Sequence, residues 1–175
     1  MPAPLIEINQ TLNHRIVFAE DALNGGRADH WATPGELLSR GAGDCEDYAI
    51  AKYFALLSAG LPAAQLRIAH VMVLMGGTGD VWRSHMVLAY LPSATIPGGE
   101  LILDNLLDDI RPLAERPDLR VLISFDTVGV WAALDRGEPP REARRIVRWA
   151  RVLDRMGLDR QTDARGREVA LPMNP

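Results

Sequence analysis

Gly43-Asp44-Cys45-Glu46-Asp47-Tyr48-Ala49-Ile50-Ala51-Lys52-Tyr53-Phe54 is the stretch from which the fold of this chain is predicted. It holds the only cysteine of the 175 residues, and acids flank that cysteine on both sides. Glycine precedes it, Asp44 is a favourable N-cap, and apolar residues then recur at helical spacing. The pattern predicts a helix that starts at Cys45 and ends at Gly60-Leu61-Pro62. The helix dipole favours a thiolate in the first turn, whereas the neighbouring carboxylates oppose it.

Composition limits the classes of protein to consider. Hydrophobic residues make up 47% of the chain and charged residues 24%, which is typical of one soluble globular domain. The formal net charge of −4 gives no basic footprint, so we expect no nucleic-acid partner. No apolar run approaches the roughly 18 residues of a membrane span, so we expect no membrane-embedded segment. One cysteine excludes an internal disulfide and a multi-cysteine zinc site.

Hydrophobic periodicity outside the central stretch predicts helices first and strands afterwards. A helix is predicted over residues 4–24, stopped by Asn24-Gly25-Gly26, and a short helix begins at Thr33 with a Thr-x-x-Glu capping box. Strands are then predicted at Gln65–Met75, Trp82–Leu91, Glu100–Leu106 and Val121–Trp131, the last being either a pair of strands or one strand with a kink near Gly129. They are joined by a turn at Gly76–Asp80, a loop at Pro92–Gly99 and a connection at Asp108–Pro117. This order indicates an α+β fold with an antiparallel sheet.

The C-terminal part has a different character. We predict a helix from Pro139-Pro140 to about Met156, in which an apolar stripe is surrounded by arginines, and a polar tail after it. One interpretation is a helix docked on the body with solvated arginines, and the other is a surface for nucleic acid or a protein partner. We therefore predict a main domain at residues 1–136 and an Arg-rich helical extension and tail at residues 137–175.

A cysteine at a helix start needs a base for catalysis, and His85 is the strongest candidate. His14 lies on a predicted surface helix, His30 in a loop, and His70 inside an apolar run that favours a hydrogen-bonded core histidine. If the second and third strands form an antiparallel hairpin, His85 faces about position 106, with a slip of about two residues. Asp104 falls within that range, which gives Cys45 as nucleophile, His85 as base and Asp104 as orienting acid.

Each of these residues also has a non-catalytic interpretation. A lone buried cysteine is often inert, and a strand aspartate is often a turn or capping residue. Asp44, Glu46 and Asp47 are also what the positive end of a helix dipole favours in a first turn. Spacing alone leaves both interpretations open.

Several long blocks resemble one known family. They are Trp31-Ala32-Thr33-Pro34, the stretch from Gly41 to Phe54, His85-Met86-Val87-Leu88-Ala89-Tyr90, Leu103-Asp104-Asn105, Arg116-Pro117-Asp118-Leu119, Ser124-Phe125-Asp126 and Gly129-Val130-Trp131. Over roughly Leu5 to Trp131 the chain resembles the bacterial transglutaminase-like cysteine proteases of the LapG-like group. The resemblance implies a papain-like, transglutaminase-like α+β fold with N-terminal helices packed on an antiparallel sheet. It also assigns Cys45, His85 and Asp104 to a catalytic triad.

The resemblance further implies calcium, a substrate class and a partner. Members are typically periplasmic, calcium-dependent endopeptidases that cleave large surface adhesins and so control biofilm attachment. An inner-membrane cyclic-di-GMP receptor typically sequesters them. The resemblance makes Asp44 and Glu46 the calcium ligands, with Asp47 a further ligand or a partner of the helix dipole; a bound cation would cancel the charge beside Cys45. The first residues show no signal peptide, so the cytoplasm remains an alternative to the periplasm.

The leading functional interpretation is an endopeptidase that works through an acyl-enzyme. The Cys45 backbone N–H is the natural first oxyanion donor, and a side chain of the Trp31 loop is the candidate for the second. An acyl transferase or amidase on the same triad is the alternative enzyme. A binding module without turnover is the alternative from a different class.

Overall fold

A computed structural model describes residues 1–20, 30–76, 81–92, 99–134, 141–143 and 146–158. The helices in this part of the chain are α1 (Ala3–Arg15), α2 (Pro34–Arg40), α3 (Cys45–Ser58) and α4 (Val147–Arg155). Its strands are β1 (Val17–Phe18), β2 (Ala42–Gly43), β3 (Leu66–Met75), β4 (Val81–Tyr90), β5 (Leu101–Leu103), β6 (Arg111–Pro112), β7 (Leu119–Phe125), β8 (Gly129–Ala132) and β9 (Arg141–Glu142).

Seven of these strands form one antiparallel sheet in the order β6-β5-β4-β3-β7-β8-β9. The two shortest strands at the N-terminal end, β1 and β2, form a separate parallel pair. Three of the helices precede the large sheet in the sequence: α3 packs against β3 and β4, and α1 and α2 pack on α3. The predicted α+β fold, with N-terminal helices on an antiparallel sheet, is confirmed.

The helix α3 is the centre of the core. Nine of its 14 residues are buried, because it is enclosed by α1, α2 and the sheet. Its aromatic residues Tyr53 and Phe54 pack with Trp149 of α4 and Phe125 of β7. Each such ring buries a large apolar area, so this cluster is a main source of stability. The division of the chain at residue 136 stays a prediction, and α4 contributes Trp149 to the same core as α3.

The opposite face of the sheet carries a second apolar cluster. Alternate residues of β3 and β4, among them Val71, Val73 and Val87, pack there with Ile102 and Leu119. Both faces of the central strands are therefore buried, which explains why the sequence of β3 is a continuous apolar run rather than an alternating one.

The hairpin register predicted from the sequence is confirmed. Leu88 pairs with Leu103 and Tyr90 with Leu101, as required for a turn centred near position 95 or 96. The strand itself is shorter than predicted, since β5 ends at Leu103 rather than at Leu106. It ends there because the Asp104 carboxylate turns inward and accepts a hydrogen bond from the Leu106 backbone N–H at 3.0 Å, which closes a turn.

The first helix is also shorter than predicted. Instead of extending over residues 4–24, α1 ends at Arg15, and Ile16 is already extended. The chain leaves the helix because Val17 and Phe18 pair with Ala42 and Gly43 just before Cys45. This long-range pairing overrides the local helical pattern. The predicted stop at residues 24–26 lies outside the described residues.

The predicted starts of α2 and α3 are confirmed. Thr33 caps α2, its hydroxyl accepts from the Glu36 N–H, and the Glu36 carboxylate accepts from the Thr33 N–H, which completes the predicted capping box. Cys45 is the first residue of α3, and Asp44 occupies the N-cap position. The Asp44 side chain does not make the capping hydrogen bond that was expected of it.

The C-terminal helix differs from the prediction. It begins at Val147 rather than at residues 139–140, which lie outside the described residues, and it ends at Arg155. Arg141 and Glu142 precede it as β9 and pair with Val130 and Gly129 at the edge of the sheet. Arg141 and Glu142, which the sequence pattern assigned to the helix, therefore belong to a strand.

The remaining connections fall into place around the sheet. The connection predicted at Asp108–Pro117 contains β6 and a 3₁₀ turn at Leu113–Glu115, and the predicted strand pair at Val121–Trp131 is formed by β7 and β8. Of the predicted turn and loop, residues 77–80 and 93–98 lie outside the described part of the chain. None of the helices in the described part has the length and apolar character needed to cross a membrane.

Gly43 should tolerate no side chain, because a Cβ there would lie 2.6 Å from both Asp47 Oδ2 and Leu37 Cδ1. We expect Gly43→Ala to lower the free energy of unfolding by about 1–3 kcal/mol, the usual range for overpacking. Thermal melts followed by circular dichroism measure this. Gly35→Ala is the matched control, since nothing lies within 4 Å of a Cβ at that helical position. Equal melting temperatures for the two variants would contradict the prediction.

Candidate active site

Cys45 lies where the start of α3 meets β4. It is partly buried, and its thiol donates a hydrogen bond to Glu46 Oε2 at 2.8 Å. A hydrogen bond with the Met86 backbone, next to His85, also reaches the sulfur. The sequence therefore places the nucleophile candidate at a helix N-terminus, beside the strand that carries the base candidate.

The opposing electrostatic effects expected around Cys45 have a clear outcome. Burial raises the pKa of the Cys45 thiol well above its usual range, and the charges of Glu46 and Asp44 raise it further. The hydrogen bond with the Met86 backbone lowers the pKa but is the smaller effect. In this arrangement the sulfur is a thiol, and it becomes a nucleophile only when a base removes its proton or the nearby negative charge is neutralised.

His85 and Asp104 form a buried pair. His85 Nε2 lies 2.8 Å from Asp104 Oδ1, and both residues are almost inaccessible to solvent. Because an ionised carboxylate only accepts hydrogen bonds, Nε2 carries the proton and Nδ1 is left as an acceptor. This is the tautomer that a general base with a free Nδ1 requires.

Three donors hold the Asp104 carboxylate. Oδ1 accepts from His85 and from the Leu106 N–H, and Oδ2 accepts from Arg116 Nη2 at 2.9 Å. Burial alone raises the pKa of Asp104, but His85, the Leu106 N–H and Arg116 together lower it to about 2. Asp104 is therefore ionised throughout the physiological range, which keeps it an acceptor for the imidazole.

Arg116 is a buried residue beside Asp104 for which the sequence predicts no role. It is buried to 5% exposure and also donates to Asp118, from Nε at 2.9 Å and from Nη2 at 2.7 Å. Asp118 thus fixes the guanidinium that in turn fixes Asp104. The only signal in the sequence is the block Arg116-Pro117-Asp118-Leu119, whose acid two residues after the arginine suits such a clamp.

A cleft of about 360 Å³ lies beside Cys45 and His85. Cys45, Glu46 and His85 all line it, together with Trp31, His70, Ser84, Met86, Ile123, Phe125, Ile146 and Arg148. His70 was expected in the core, but it is only partly buried in the cleft wall, where its Nε2 lies 2.7 Å from Ser84 Oγ. Strand β3 places it there because it pairs with Met86.

The other histidines lie in different surroundings. His14 binds the exposed carboxylate of Asp108 at 2.6 Å, and His30 lies 3.6 Å from Glu36. Among the described histidines, His85 is the one bonded to a buried carboxylate. Cys45 and His85 line one cleft, and Asp104 lies behind the His85 ring; the roles assigned to these three residues stay a prediction.

The acids beside Cys45 are of the chemical type that binds calcium. Asp44 and Glu46 offer carboxylate oxygens, the hard ligands that calcium prefers. Asp47 points away into the fold, where its Oδ1 accepts from the Ala32 N–H at 2.6 Å and its Oδ2 lies 3.8 Å from Arg40. Within the described part of the chain, no three His, Cys, Asp or Glu side chains are gathered as a metal site. Backbone carbonyls and water would have to complete the coordination of an ion at Asp44 and Glu46.

Comparison with known protein families identifies the chain. The family model of the bacterial transglutaminase-like cysteine proteinases matches residues 2–137, which include every residue of the proposed triad. The chain belongs to this family. It is therefore a cysteine protease of the transglutaminase-like type. No curated protein matches the chain.

Solved structures of LapG from Legionella pneumophila are similar to this proteinase. The EGTA-treated form is 35% identical, with a TM-score of 0.74, and the match covers 87% of this chain and 77% of that one. The calcium-bound form is 36% identical, with a TM-score of 0.72, and the match covers 87% and 78%. This likeness confirms the transglutaminase-like fold.

Replacing Arg116 in this proteinase should make the fold acid-sensitive. The folded-state pKa of Asp104, about 2, lies below the usual aspartate value of 3.8, so its ionisation contributes stability above about pH 4 that is lost as the pH falls through 2. Arg116→Met removes a partner, which raises the Asp104 pKa and moves acid unfolding to higher pH. Breaking such a buried pair costs about 3–5 kcal/mol.

Circular dichroism during acid titration, with urea melts at pH 7, measures both effects. Arg111→Met is the control, because its ion pair with Asp109 at 3.3 Å is largely exposed and such pairs contribute about 0–1 kcal/mol. If Arg116→Met unfolds at the same pH as Arg111→Met, Arg116 does not stabilise the ionised Asp104.

Proposed function

We propose that this chain is a calcium-dependent endopeptidase in which Cys45, His85 and Asp104 form the catalytic triad. The observation that carries the proposal is the cleft: Cys45 and His85 both line it, and the buried, ionised Asp104 lies 2.8 Å from Nε2 of the His85 ring. Membership of a cysteine proteinase family supports it, since the only cysteine of the chain is Cys45.

The chemistry of the first half-reaction follows from the tautomer of His85. Nδ1 accepts the thiol proton, the sulfur attacks the peptide carbonyl carbon, and the carbonyl oxygen becomes an oxyanion. The imidazolium then gives its proton to the amine nitrogen as the C–N bond breaks, which leaves an acyl-enzyme on Cys45. Asp104 stabilises the transient imidazolium because it remains ionised beside it. Water, activated by His85, hydrolyses the thioester in the second half-reaction.

Two groups are placed to stabilise the oxyanion. The backbone N–H of Cys45 belongs to the first turn of α3, where amide groups lack helical partners. The indole Nε1–H of Trp31 is buried, and it has no hydrogen-bond partner among the described residues. Trp31 lines the cleft, where its ring stacks on Phe125 at 5.8 Å between centroids. We assign it as the second donor, as the Trp31 loop was expected to provide.

Asp44 and Glu46 would hold calcium. When bound, the ion supplies positive charge beside Cys45 and so offsets the two anions that raise the pKa of its thiol. The similarity to a LapG form named as calcium-bound supports this assignment. Engagement of Glu46 elsewhere would also release the thiol from the hydrogen bond that it now donates to that carboxylate.

The proposed substrate is a large bacterial surface adhesin, so that cleavage controls biofilm attachment. The proposed partner is an inhibitory cyclic-di-GMP receptor, and the proposed compartment is the periplasm. These three proposals rest on the family resemblance of the sequence. An open cleft between a helix terminus and a sheet is compatible with an extended segment of protein substrate.

Substitutions in the triad should separate its roles. We expect Cys45→Ala and His85→Ala each to abolish cleavage of a cognate adhesin fragment, because nucleophile and base act as a unit. Asp104→Asn should reduce the rate less completely, since an amide still contacts the imidazole but stabilises the imidazolium poorly. The measurement is product formation on gels, with thermal melts of the same samples to show that each variant is folded.

Each alternative gives a different result in that assay. If Cys45→Ala still cleaves the fragment, the protease mechanism is wrong. If the wild-type chain joins the fragment to an added primary amine rather than cutting it, the acyl transferase interpretation replaces it. A folded wild-type chain that binds the fragment without any product would indicate a binding module.

Calcium should stabilise the folded chain, because a ligand that binds only the folded state does so by mass action. At a hundredfold excess over the dissociation constant the gain is about 2.7 kcal/mol. Thermal melts with calcium and with EGTA measure it. Asp44→Ala and Glu46→Ala should abolish the difference, whereas Asp109→Ala, an exposed acid outside the cleft, should keep it. A wild-type melting temperature that calcium leaves unchanged would sink the metal assignment while leaving the triad standing.

A further inference from the structure

One peptide group beside the cleft is held by charged side chains from two different helices. The Ala32 N–H donates to Asp47 Oδ1 at 2.6 Å, and the Trp31 carbonyl accepts a hydrogen bond from Arg155 Nη2. Both backbone groups belong to the peptide unit that joins Trp31 to Ala32. Because a peptide unit is planar, two hydrogen bonds on its opposite sides fix its orientation. That orientation helps to set where the backbone places the Trp31 side chain.

The acid of this pair belongs to the helix that carries the nucleophile candidate. Asp47 lies in the first turn of α3, two residues after Cys45, and it is 1% exposed. A buried carboxylate needs hydrogen-bond donors, because its charge is otherwise costly to remove from water. The Ala32 N–H is one such donor, so the residue next to Trp31 is tied to the start of α3.

The arginine of the pair belongs to α4, which lies outside the residues 2–137 that the family model matches. The position of α4 is fixed by Trp149, which is fully buried and donates from Nε1 to the Asp126 carbonyl at 2.8 Å. The same segment also reaches the cleft, since Ile146 and Arg148 line its wall. Residues beyond the matched part of the chain thus contribute to the site.

Arg155 lies in the last turn of α4 and contacts two partners. Besides the Trp31 carbonyl, its guanidinium reaches Glu36, whose Oε1 lies 3.4 Å from Arg155 Nε. The side chains of this ion pair are 32% and 38% exposed, so the pair contributes little to stability on its own. Glu36 also accepts from the Thr33 N–H in the capping box of α2. The guanidinium therefore joins α4 to the short connection that carries Trp31 and to the start of α2.

The Trp31 side chain is held less completely than its backbone. Its ring lines the cleft and stacks on Phe125, at 5.8 Å between centroids and 12° between planes. Its Nε1–H is buried and makes no hydrogen bond to any of the described residues. Stacking leaves a ring free to slide within its own plane, so the position of the indole N–H depends on the backbone that carries the ring.

We propose that Arg155 is a positioning residue: with Asp47 it fixes the Trp31–Ala32 peptide, so that the Trp31 indole N–H stays at the cleft as an oxyanion donor. This inference rests on the proposed function of the cleft. Arg155 does not line the cleft, so it acts on the reaction through Trp31. It follows that the C-terminal helix belongs functionally to the active site.

The first test follows the indole directly and needs no substrate. In a Cys45→Ala background, a ¹H–¹⁵N correlation spectrum shows one indole signal for each of the four tryptophans, and Trp31→Phe identifies the signal of Trp31. We expect Arg155→Met to shift or broaden that signal, because the carbonyl of the same residue loses its donor. Arg155→Lys should restore it in part, since an ammonium can replace one of the guanidinium donors.

The same spectra contain the control for the position of the helix. The Trp149 signal reports whether α4 remains docked, because its indole binds the Asp126 carbonyl. Arg151→Met, which replaces an exposed arginine of the same helix, should leave both signals unchanged. If Arg155→Met leaves the Trp31 signal unchanged, the proposal is overturned. It is also overturned if the Trp149 signal moves together with that of Trp31, since Arg155 then docks the whole helix instead of orienting one peptide.

The second test uses catalysis with an intact Cys45. Trp31→Phe should lower kcat by about 10²–10³-fold, the usual cost of removing an oxyanion donor. Arg155→Met should lower kcat by about tenfold, because it displaces the donor instead of deleting it, and should leave KM within about twofold. In the double variant, Arg155→Met should add no further loss, because its effect passes through an indole that is no longer present.

The double variant separates positioning from general stabilisation. An equal loss from Arg155→Met with and without the Trp31 indole would overturn the proposal, as would a loss confined to KM. The two tests also distinguish this inference from the proposed function. A folded chain without proteolytic activity would refute the proposed function, whereas the indole spectra would still decide whether Arg155 positions Trp31.

Discussion

The buried carboxylate of Asp104 is the constraint on which the site depends. A carboxylate that is 1% exposed is tolerable only when donors satisfy it, and here an imidazole, a guanidinium and a backbone N–H do so. Those donors come from β4, from the segment before β7 and from the turn after β5. The interaction therefore joins three parts of the fold, and it sets the direction in which the His85 ring presents Nδ1.

A second constraint works against the first. A negative charge such as that of Asp104, which orients the imidazole, disfavours a thiolate nearby. Glu46 and Asp44 add two more anions beside Cys45. The dipole of α3 is worth only about 0.3–1 kcal/mol at a typical terminus, which does not offset burial and two carboxylates. The resting sulfur is consequently a thiol bonded to Glu46. Reactivity then depends on what neutralises Glu46, which is the reason for proposing a cation in the same short stretch as the nucleophile candidate.

A large part of this arrangement could be predicted from local signals in the sequence. The start of α3, the Thr33 capping box and the hairpin register follow from rules that involve neighbouring residues or one turn, and all three are confirmed. The register mattered most, because it brought Asp104 within reach of His85. The pairing of Asp104 with His85 could be expected in this way, whereas the catalytic roles of Cys45, His85 and Asp104 stay a proposal.

What the sequence missed was set by contacts between distant segments. The helix α1 ends early because β1 pairs with β2, and the C-terminal helix starts late because β9 pairs with β8. Arg116 carries only the weak signal of an acid two residues later, because its buried partner Asp104 lies in a different connection of the sheet. The prediction for His70 was wrong because one residue of an otherwise apolar strand faces the cleft, where a polar side chain is tolerated.

These long-range contacts link the stability of the fold to its chemistry. Asn9, Asn13 and Arg116 all donate hydrogen bonds to residues 104–108 rather than lining the cleft, and removing any one takes a donor from that segment. The segment that carries Asp104 is thus held by α1 on one side and by Arg116 on the other. The base candidate His85 stays precisely oriented toward the helix that carries the nucleophile only if these hydrogen bonds remain formed. This requirement accounts for polar residues at positions where the helical periodicity would otherwise favour apolar ones.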